Sequence, residues 1–421
     1  MSRTHLALAA LASTAVPGLD PVSVEGVPLL PGHQFDVAFV QDAQERRWVV
    51  RCPRTPGAAA QIEQAAGYLA LLARKVSFAV PVPRGWAALP EGGRAAVSPY
   101  VPGRQLDLAS LPPGPGITAE LGRAIATLHN SDVRLMEEAG LPSYDADEYR
   151  RRRLADLDRA AATGRVPTGL LGRWERSLED VGLWRFAPAP IHGDLTGHQV
   201  LATFEDDEDV TTGTIKGFTG WEDAKVADPA EDLAEIVWVA SPEAVETLME
   251  AYTHTRAERP DPHLLDRARI IAEMRAAQEL LQAIASGDQD EVEHQSSVLR
   301  QLDEHLASEE PARRDGAAVV AVDASRETPT PAVAGQESSE ADPVESPVES
   351  QVAGPDDTTP IDVSTLRHEG DLSAEAEAAT DVADDSADTA DDHGPAFELE
   401  HPAPTEPEID PATGDLRPPS A

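Results

Sequence analysis

The chain has 421 residues, with 75 Asp and Glu against 34 Lys and Arg, and a formal net charge of −41. Its length allows two or three domains. Phosphate backbones are bound through Lys and Arg, so this acidic balance excludes nucleic acid as the expected partner.

The charge and the composition divide the chain near residue 310. Residues 311–421 carry 27 Asp and Glu against 5 Lys and Arg, and Phe397 is their one aromatic residue. Such a segment buries too little apolar surface to offset the loss of chain entropy. We therefore predict that residues 311–421 form a disordered acidic tail.

Residues 6–16 are apolar and rich in alanine behind Arg3, which is also typical of a signal peptide. The run is short and leads into a turn at Pro17-Gly18, and this favours a short amphipathic helix. No run reaches the roughly 20 apolar residues of a membrane span. Cys52, the single cysteine, excludes an intrachain disulfide and is predicted to be a buried packing residue. We expect a cytoplasmic protein that does not bind membranes.

Residues 1–102 are predicted to form a small lobe made mostly of β-structure. Side chains alternate in type over residues 34–40 and again over residues 48–52, with a charged turn between them. That pattern is typical of a β-hairpin. Residues 58–74 show helical spacing, and residues 95–101 resemble a short strand that ends at a Pro-Gly pair.

Residues 103–310 are predicted to form a larger, mainly helical lobe, interrupted by short strands and turns over residues 191–221. The helices are expected at residues 117–129, 147–162, 229–239, 242–255, 262–286 and 290–306. Four consecutive arginines, residues 150–153, lie on one of these helices and are predicted to form a solvated face.

Three short motifs follow one another in the second lobe. Phosphoryl transfer needs a carboxylate beside the attacking hydroxyl, and a glycine-containing turn after a strand can present one. His192-Gly193-Asp194 has this form, although the tripeptide alone fits a capped turn equally well. The sequences G-F-T-G-W-E-D-A (residues 217–224) and D-P-A-E-D-L (residues 228–233) come after it.

In order and spacing these motifs resemble the aminoglycoside phosphotransferase superfamily, which includes the macrolide phosphotransferases. Its members read roughly H-G-D-L-x-x-x-N-x-L, then I-D-W, then G-D-P-x-x-D-L. The resemblance extends over about residues 15–305. It implies an α+β, bilobal, protein-kinase-like fold with a nucleotide-binding N-terminal lobe (residues 1–102) and a catalytic, substrate-binding C-terminal lobe (residues 103–310).

The resemblance also implies roles for individual residues, with Asp194 as the catalytic base and ATP or GTP with Mg²⁺ as cofactors. The implied nucleotide-binding residues are Arg51 against the phosphates, Glu63 as its ion-pair partner, Ser98 and Tyr100 in a hinge that meets the purine, and residues 31–36 in a loop over the phosphates. On the residues alone, Arg51 fits a strand-edge charge and Glu63 a solvated helix residue.

Two positions depart from the family pattern. Gln199 stands where the family has an Asn or His metal ligand, with His198 beside it, and Gly220 replaces the Asp that precedes Trp. Mg²⁺ prefers octahedral oxygen coordination with one or two carboxylates, so the loss of that Asp predicts weaker metal binding. Asp228 and Asp232 match the D-P-x-x-D pair and are predicted to be structural, with Asp228 capping a helix.

These departures leave two functions open. The first is a phosphotransferase that moves the terminal phosphate of ATP or GTP to a small-molecule hydroxyl, with macrolide antibiotics among the candidate acceptors. The second is a catalytically impaired pseudokinase that binds a nucleotide or acts as a scaffold. Retained Asp194 favours the first function and Gly220 favours the second.

Overall fold

The computed structural model of the protein describes residues 3–27, 34–206 and 209–324. It begins with helix α1, His5–Ala15, where the Thr4 hydroxyl accepts a hydrogen bond from the Ala7 N–H at 3.3 Å. The helix predicted at residues 6–16 is confirmed. Residues 28–33, which include the first half of the predicted phosphate loop, lie outside the described residues.

The N-terminal part is built on an antiparallel sheet of five strands in the order β1-β2-β3-β5-β4. Its elements are β1 (Pro21–Gly26), β2 (Phe35–Asp42), β3 (Arg47–Pro53), α2 (Pro56–Leu72), β4 (Gly85–Ala88) and β5 (Arg94–Pro99). The predicted hairpin is the β2–β3 pair, in which Val37 lies opposite Arg51 and Phe39 opposite Val49. The predicted helix and the further strand correspond to α2 and β5.

Each face of this sheet is covered by a helix. Leu8 and Ala12 of α1 pack with Val50 and Cys52 of β3 in one buried cluster, whereas Ile62 of α2 packs on the opposite face. Cys52 is free and buried, as predicted, and burial raises the pKa of its thiol to about 11. The alternation along the strands therefore sends one set of side chains toward α1 and leaves the other set on the side of α2.

The C-terminal part is mainly helical, as predicted. Its elements are β6 (Arg104–Gln105), α3 (Ile117–His129), α4 (Arg134–Glu138), α5 (Ala146–Ala162), α6 (Thr168–Glu179), β7 (Ala189–Ile191), β8 (Val200–Thr203), β9 (Thr214–Phe218), β10 (Lys225–Ala227), α7 (Ala230–Val239), α8 (Pro242–Thr255), α9 (Leu264–Ser286) and α10 (Gln289–Ala324). The strands form a three-stranded sheet, β6-β8-β9, and a two-stranded sheet, β10-β7.

Helix α10 continues past the boundary predicted at residue 310, and residues 325–421 of the predicted tail lie outside the described residues. The disordered tail and the domain boundaries stay predictions. Among the described residues, no helix is long and apolar enough to cross a membrane.

Among the four consecutive arginines, Arg153 departs most from the predicted solvated face. Arg153 is buried, donates to the Tyr149 hydroxyl at 2.7 Å and forms an ion pair with Glu231. A buried guanidinium needs partners of this kind, because an unpaired charge in the interior is strongly unfavourable. Arg153 thereby ties α5 to the first turn of α7.

The two parts of the fold meet around Trp221, which is fully buried. Its ring packs edge-on against Tyr68 of α2, with the ring centroids 6.0 Å apart, and lies tilted against the His192 ring at 4.7 Å between centroids. Its indole N–H donates to the Phe218 carbonyl at 2.8 Å. Trp221 therefore connects α2 to the turn that carries the first motif.

Candidate active site

The His192-Gly193-Asp194 turn is held from behind by a buried carboxylate. Asp232, in the first turn of α7, accepts hydrogen bonds from the backbone N–H groups of His192 and Gly193, each at 2.8 Å. His129, the last residue of α3, reaches the same carboxylate at 3.0 Å, and its other ring nitrogen lies 2.8 Å from the Tyr252 hydroxyl. Asp232, His129 and Tyr252 are all buried.

Asp232 is stabilised in its ionised form. Burial acts to raise the pKa of this carboxyl, but the hydrogen bond from His129, the electrostatic interactions with His129 and His192, and the hydrogen bond from the His192 N–H together lower it below its usual value. Asp228, the other acidic residue of its motif, accepts from the Ala230 N–H at 3.0 Å and pairs with buried Arg267 at 2.7 Å. Asp228 and Asp232 therefore have structural roles, as predicted from the sequence.

Gly193 allows the turn to expose the next residue. Its φ is +86°, and a Cβ atom there would lie 2.1 Å from the Asp223 carbonyl oxygen. Only glycine fits this position. Asp194 follows with a side chain that is 42% exposed. The turn thus presents one partly exposed carboxylate on a rigid, buried support.

Gln199 does not present its amide oxygen as a metal ligand. The oxygen accepts from the Thr196 backbone N–H at 2.8 Å and from the Thr196 hydroxyl at 3.2 Å, which forms a capping box across residues 196–199. A backbone N–H can only donate, so the amide nitrogen must be the atom that faces Asp194. It lies 3.3 Å from that carboxylate.

His198 does not replace Gln199. Its ring nitrogen contacts the Gln105 side chain at 3.1 Å, and the residue is exposed. The capping box directs the two neighbouring side chains of the turn to different partners, Gln199 to Asp194 and His198 to β6.

Gly220 offers no ligand, and the space beside it is filled. Its φ is +77°, and a Cβ atom would lie 2.8 Å from the Gln199 amide nitrogen. Among the described residues, no group of three or more His, Cys, Asp or Glu side chains could hold a metal ion. Mg²⁺ needs oxygen lone pairs, and neither Gln199 nor Gly220 presents a side-chain oxygen to it, so these two positions do not fit the predicted magnesium site.

An arginine lies against the predicted base instead. The Arg275 guanidinium on α9 is 3.2 Å from one Asp194 oxygen and 3.5 Å from the Glu235 carboxylate of α7. Glu235 is three residues beyond Asp232, so both project from neighbouring positions on one helix. The same helix therefore positions the turn and the cation beside its carboxylate.

The ion pair predicted between Arg51 and Glu63 is not formed. Arg51 of β3 makes two hydrogen bonds to the Glu222 carboxylate, one of them at 3.1 Å. Glu63 of α2 pairs with Arg94 at 2.9 Å, and the Arg94 guanidinium stacks on the Trp86 ring at 4.7 Å. Arg94 is anchored by that ring at the start of β5, where it is the nearer partner for Glu63.

The sheet face that carries Arg51 is half-buried and mostly apolar. Val37, Phe39 and Val49 share this face with Arg51, as the register of β2 and β3 requires. Ser98, near the end of β5, pairs with Val49 and is buried, whereas Tyr100 is half-buried with the Arg47 guanidinium 4.1 Å from its ring. These residues form a surface on which a planar base could lie.

A cavity of about 650 Å³ lies elsewhere in the helical part, between α8 and the start of α9. Val245, Met249 and Leu265 line it, together with Glu246 and Arg269. It includes none of the predicted site residues, so the candidate site rests on the side chains around Asp194 and not on this cavity.

Sequence reasoning missed three features of the site. The Thr196-x-x-Gln199 spacing is a capping-box signature and could have revealed the part that Gln199 plays. The alternation of Val37, Phe39 and Val49 could have identified the apolar face. Arg275 carries no local signal, because it reaches Asp194 only through the packing of α9.

Comparisons with known proteins identify the family of the chain. A sequence model of the phosphotransferase enzyme family matches residues 25–267, more than half of the chain. The uncharacterized protein YcbJ of Bacillus subtilis (strain 168) is 24% identical over 230 residues, covering 52% of this chain and 72% of that protein.

Solved structures show the same fold. The apoenzyme of macrolide 2'-phosphotransferase MphH from Brachybacterium faecium superposes with a TM-score of 0.59 at 26% identity, covering 70% of this chain and 97% of that one. A GDP and kanamycin complex of APH(2")-IIIa gives 0.59 at 18% identity, covering 71% and 99%. The α+β, protein-kinase-like fold is confirmed, and the chain belongs to the phosphotransferase enzyme family.

Proposed function

We propose that this protein transfers the terminal phosphate of ATP or GTP to a hydroxyl group of a small molecule. The observation that carries the proposal is the partly exposed Asp194 carboxylate, held on a turn whose backbone is bonded to buried Asp232. Phosphoryl transfer depends mainly on positioning and charge, and a rigidly held carboxylate beside the nucleophile meets the first need.

The reaction follows from this position. The acceptor oxygen attacks the terminal phosphorus as its proton passes to Asp194, and a new phosphorus–oxygen bond forms. The bond from that phosphorus to the bridging oxygen breaks, and the nucleoside diphosphate leaves with the electron pair. Asp194 then releases its proton to solvent. General bases of this kind contribute about 10²–10⁴ in rate.

The half-buried face of Val37, Phe39 and Val49 supports the choice of a nucleotide donor. It lies on the same strands as Arg51 and beside Ser98 and Tyr100, which we assign to the purine end of the site. APH(2")-IIIa has been solved with GDP, which favours a purine nucleotide here as well. A nucleotide donor also fits the cytoplasmic location expected from the sequence.

Macrolide antibiotics are the acceptor class we favour. MphH, at 26% identity, is a macrolide 2'-phosphotransferase, whereas the kanamycin-bound relative is 18% identical. Antibiotic resistance would follow if such an acceptor is used.

A nucleotide-binding protein that does not transfer phosphate is the second candidate. Gly220 and the occupied amide oxygen of Gln199 favour it, because both remove oxygen atoms that could hold a metal at the phosphates.

A direct assay separates the two candidates. The full chain would be incubated with ATP or GTP labelled in the terminal phosphate, and with a panel of macrolides and aminoglycosides. We expect label in a macrolide product with the unaltered protein and a much slower reaction with Asp194→Asn. Nucleotide binding without labelled product from any acceptor would favour the second candidate.

A further inference from the structure

The two side chains that contact the Asp194 carboxylate have one chemical property in common: both donate hydrogen bonds. The Gln199 amide nitrogen lies 3.3 Å from one carboxylate oxygen and the Arg275 guanidinium 3.2 Å from the other. Gly220 contributes no atom beyond its backbone. A metal ion requires lone pairs at these positions, whereas an anion requires donors such as those present.

We propose that the nucleotide phosphates are bound here without a divalent metal, with Arg275 as the cation beside Asp194 and Arg51 as the cation of the sheet. The inference rests on the proposed function, because it concerns the same nucleotide. A guanidinium stays charged at all physiological pH values and offers five donors in a planar fork that matches phosphate oxygens.

Arg275 is placed so that a phosphate can reach it. Its side chain is 24% exposed, and the Asp194 side chain beside it is 42% exposed. Glu235, 11% exposed, holds the guanidinium from α7 at 3.5 Å. One nitrogen, Nη1, makes both of these contacts, so the fork has further N–H groups for an anion.

A metal ion bound to Asp194 would lie next to the Arg275 guanidinium, which is 3.2 Å from that carboxylate. The two positive charges would repel each other, and neither Gln199 nor Gly220 supplies an oxygen ligand that could offset the repulsion. Arg275 therefore supplies a positive charge at the position where a metal ion would otherwise be needed.

The test is nucleotide binding by the full chain, measured by calorimetry with ATP and with GTP, once in EDTA and once in excess Mg²⁺. We expect affinity in EDTA to equal or exceed that in Mg²⁺. Arg275→Met is expected to weaken binding in EDTA by about tenfold or more, the loss of one charged hydrogen bond, and Arg275→Lys to restore part of it. Arg269→Met removes an exposed arginine from the same helix and is expected to bind as the unaltered protein does.

Binding that appears only with Mg²⁺ would overturn this inference but leave the proposed function intact. Equal affinities of Arg275→Met and the unaltered protein would overturn the part assigned to Arg275. No binding of either nucleotide under either condition would overturn the inference and the proposed function together. Thermal unfolding of each variant checks that it is folded. If Arg275→Met does not fold, the comparison of nucleotide binding in EDTA and in Mg²⁺ by the unaltered protein still tests whether a metal is needed.

Discussion

The two sides of the His192-Gly193-Asp194 turn differ in burial and in hydrogen bonding. Behind it, Asp232, His129 and the backbone form a buried network in which the carboxylate accepts three hydrogen bonds. In front of it, Gln199 and Arg275 are half-buried and direct donors at Asp194. The buried side matches the family motif and the open side departs from it. Substitutions in a buried network are costly, because each lost partner leaves an unsatisfied polar group in the interior. In a partly exposed site, a residue that binds a metal can be replaced by one that donates a hydrogen bond, because water can satisfy the remaining polar groups.

Asp194→Asn, on the open side, is expected to have the largest effect on activity. Removing the base should slow phosphate transfer by about 10²–10⁴ and change folding stability little, because the side chain is partly exposed. Single-turnover rates and denaturant unfolding of the same sample measure the two quantities. A rate equal to that of the unaltered protein would remove Asp194 from the reaction.

Asp232→Ala, on the buried side, is expected to act mainly on folding. It leaves His129 and two backbone N–H groups without their acceptor, which should cost about 3–5 kcal/mol in the free energy of unfolding. Asp158→Ala, at an exposed position on α5, is the matched control and should change it by less than about 0.5 kcal/mol. Similar losses of unfolding free energy from both variants would mean that the buried network around Asp232 does not stabilise the fold.

The pH dependence of stability reports on the same carboxylate. The pKa of Asp232 is lower in the folded protein than in the unfolded chain, where it is about 3.9. The contribution of Asp232 to the free energy of unfolding is therefore complete above its pKa in the unfolded chain, and it is lost as the pH falls through its pKa in the folded protein. We expect unfolding midpoints measured from about pH 6 to pH 2 to fall less steeply below pH 4 for Asp232→Asn than for the unaltered protein. Parallel curves would contradict this assignment.

Glu222→Gln is expected to increase nucleotide affinity by a moderate factor. The Glu222 carboxylate occupies Arg51, so its neutralisation should free the guanidinium and tighten nucleotide binding by a few-fold, up to about tenfold. Arg51→Gln should weaken binding by a similar factor. Weaker binding by Glu222→Gln would show that this residue holds Arg51 in the competent position.

Glu63→Ala is expected to have the smallest effect. Its pair with Arg94 is partly exposed, and pairs of this kind contribute at most about 1 kcal/mol. Nucleotide affinity and stability should therefore both stay close to those of the unaltered protein. A large loss of affinity would mean that Glu63 changes its partner to Arg51 when nucleotide binds, as first predicted from the sequence.

The sequence could locate the turn but not its surroundings. The spacing of His192, Asp194 and Asp232 is a local pattern, and the helices follow from apolar periodicity and caps. Which charges pair is set by how helices pack, and this is why Arg51 meets Glu222 and Arg275 meets Asp194. Arg153 is a further case, because its burial depends on the contact between α5 and α7.

In the proposed site, Arg275 stands in the place of a metal ion beside Asp194. The most direct measurement is a crystal structure of the full chain with a non-hydrolysable ATP analogue and Mn²⁺, using data collected at the manganese absorption edge. The double variant Gln199→Asn with Gly220→Asp, which introduces oxygen ligands, is the matched comparison. We predict no anomalous peak between Asp194 and the phosphates in the unaltered protein, with Arg275 within hydrogen-bond distance of the terminal phosphate. A manganese peak held by Asp194 and Gln199, with Arg275 turned away, would contradict the account.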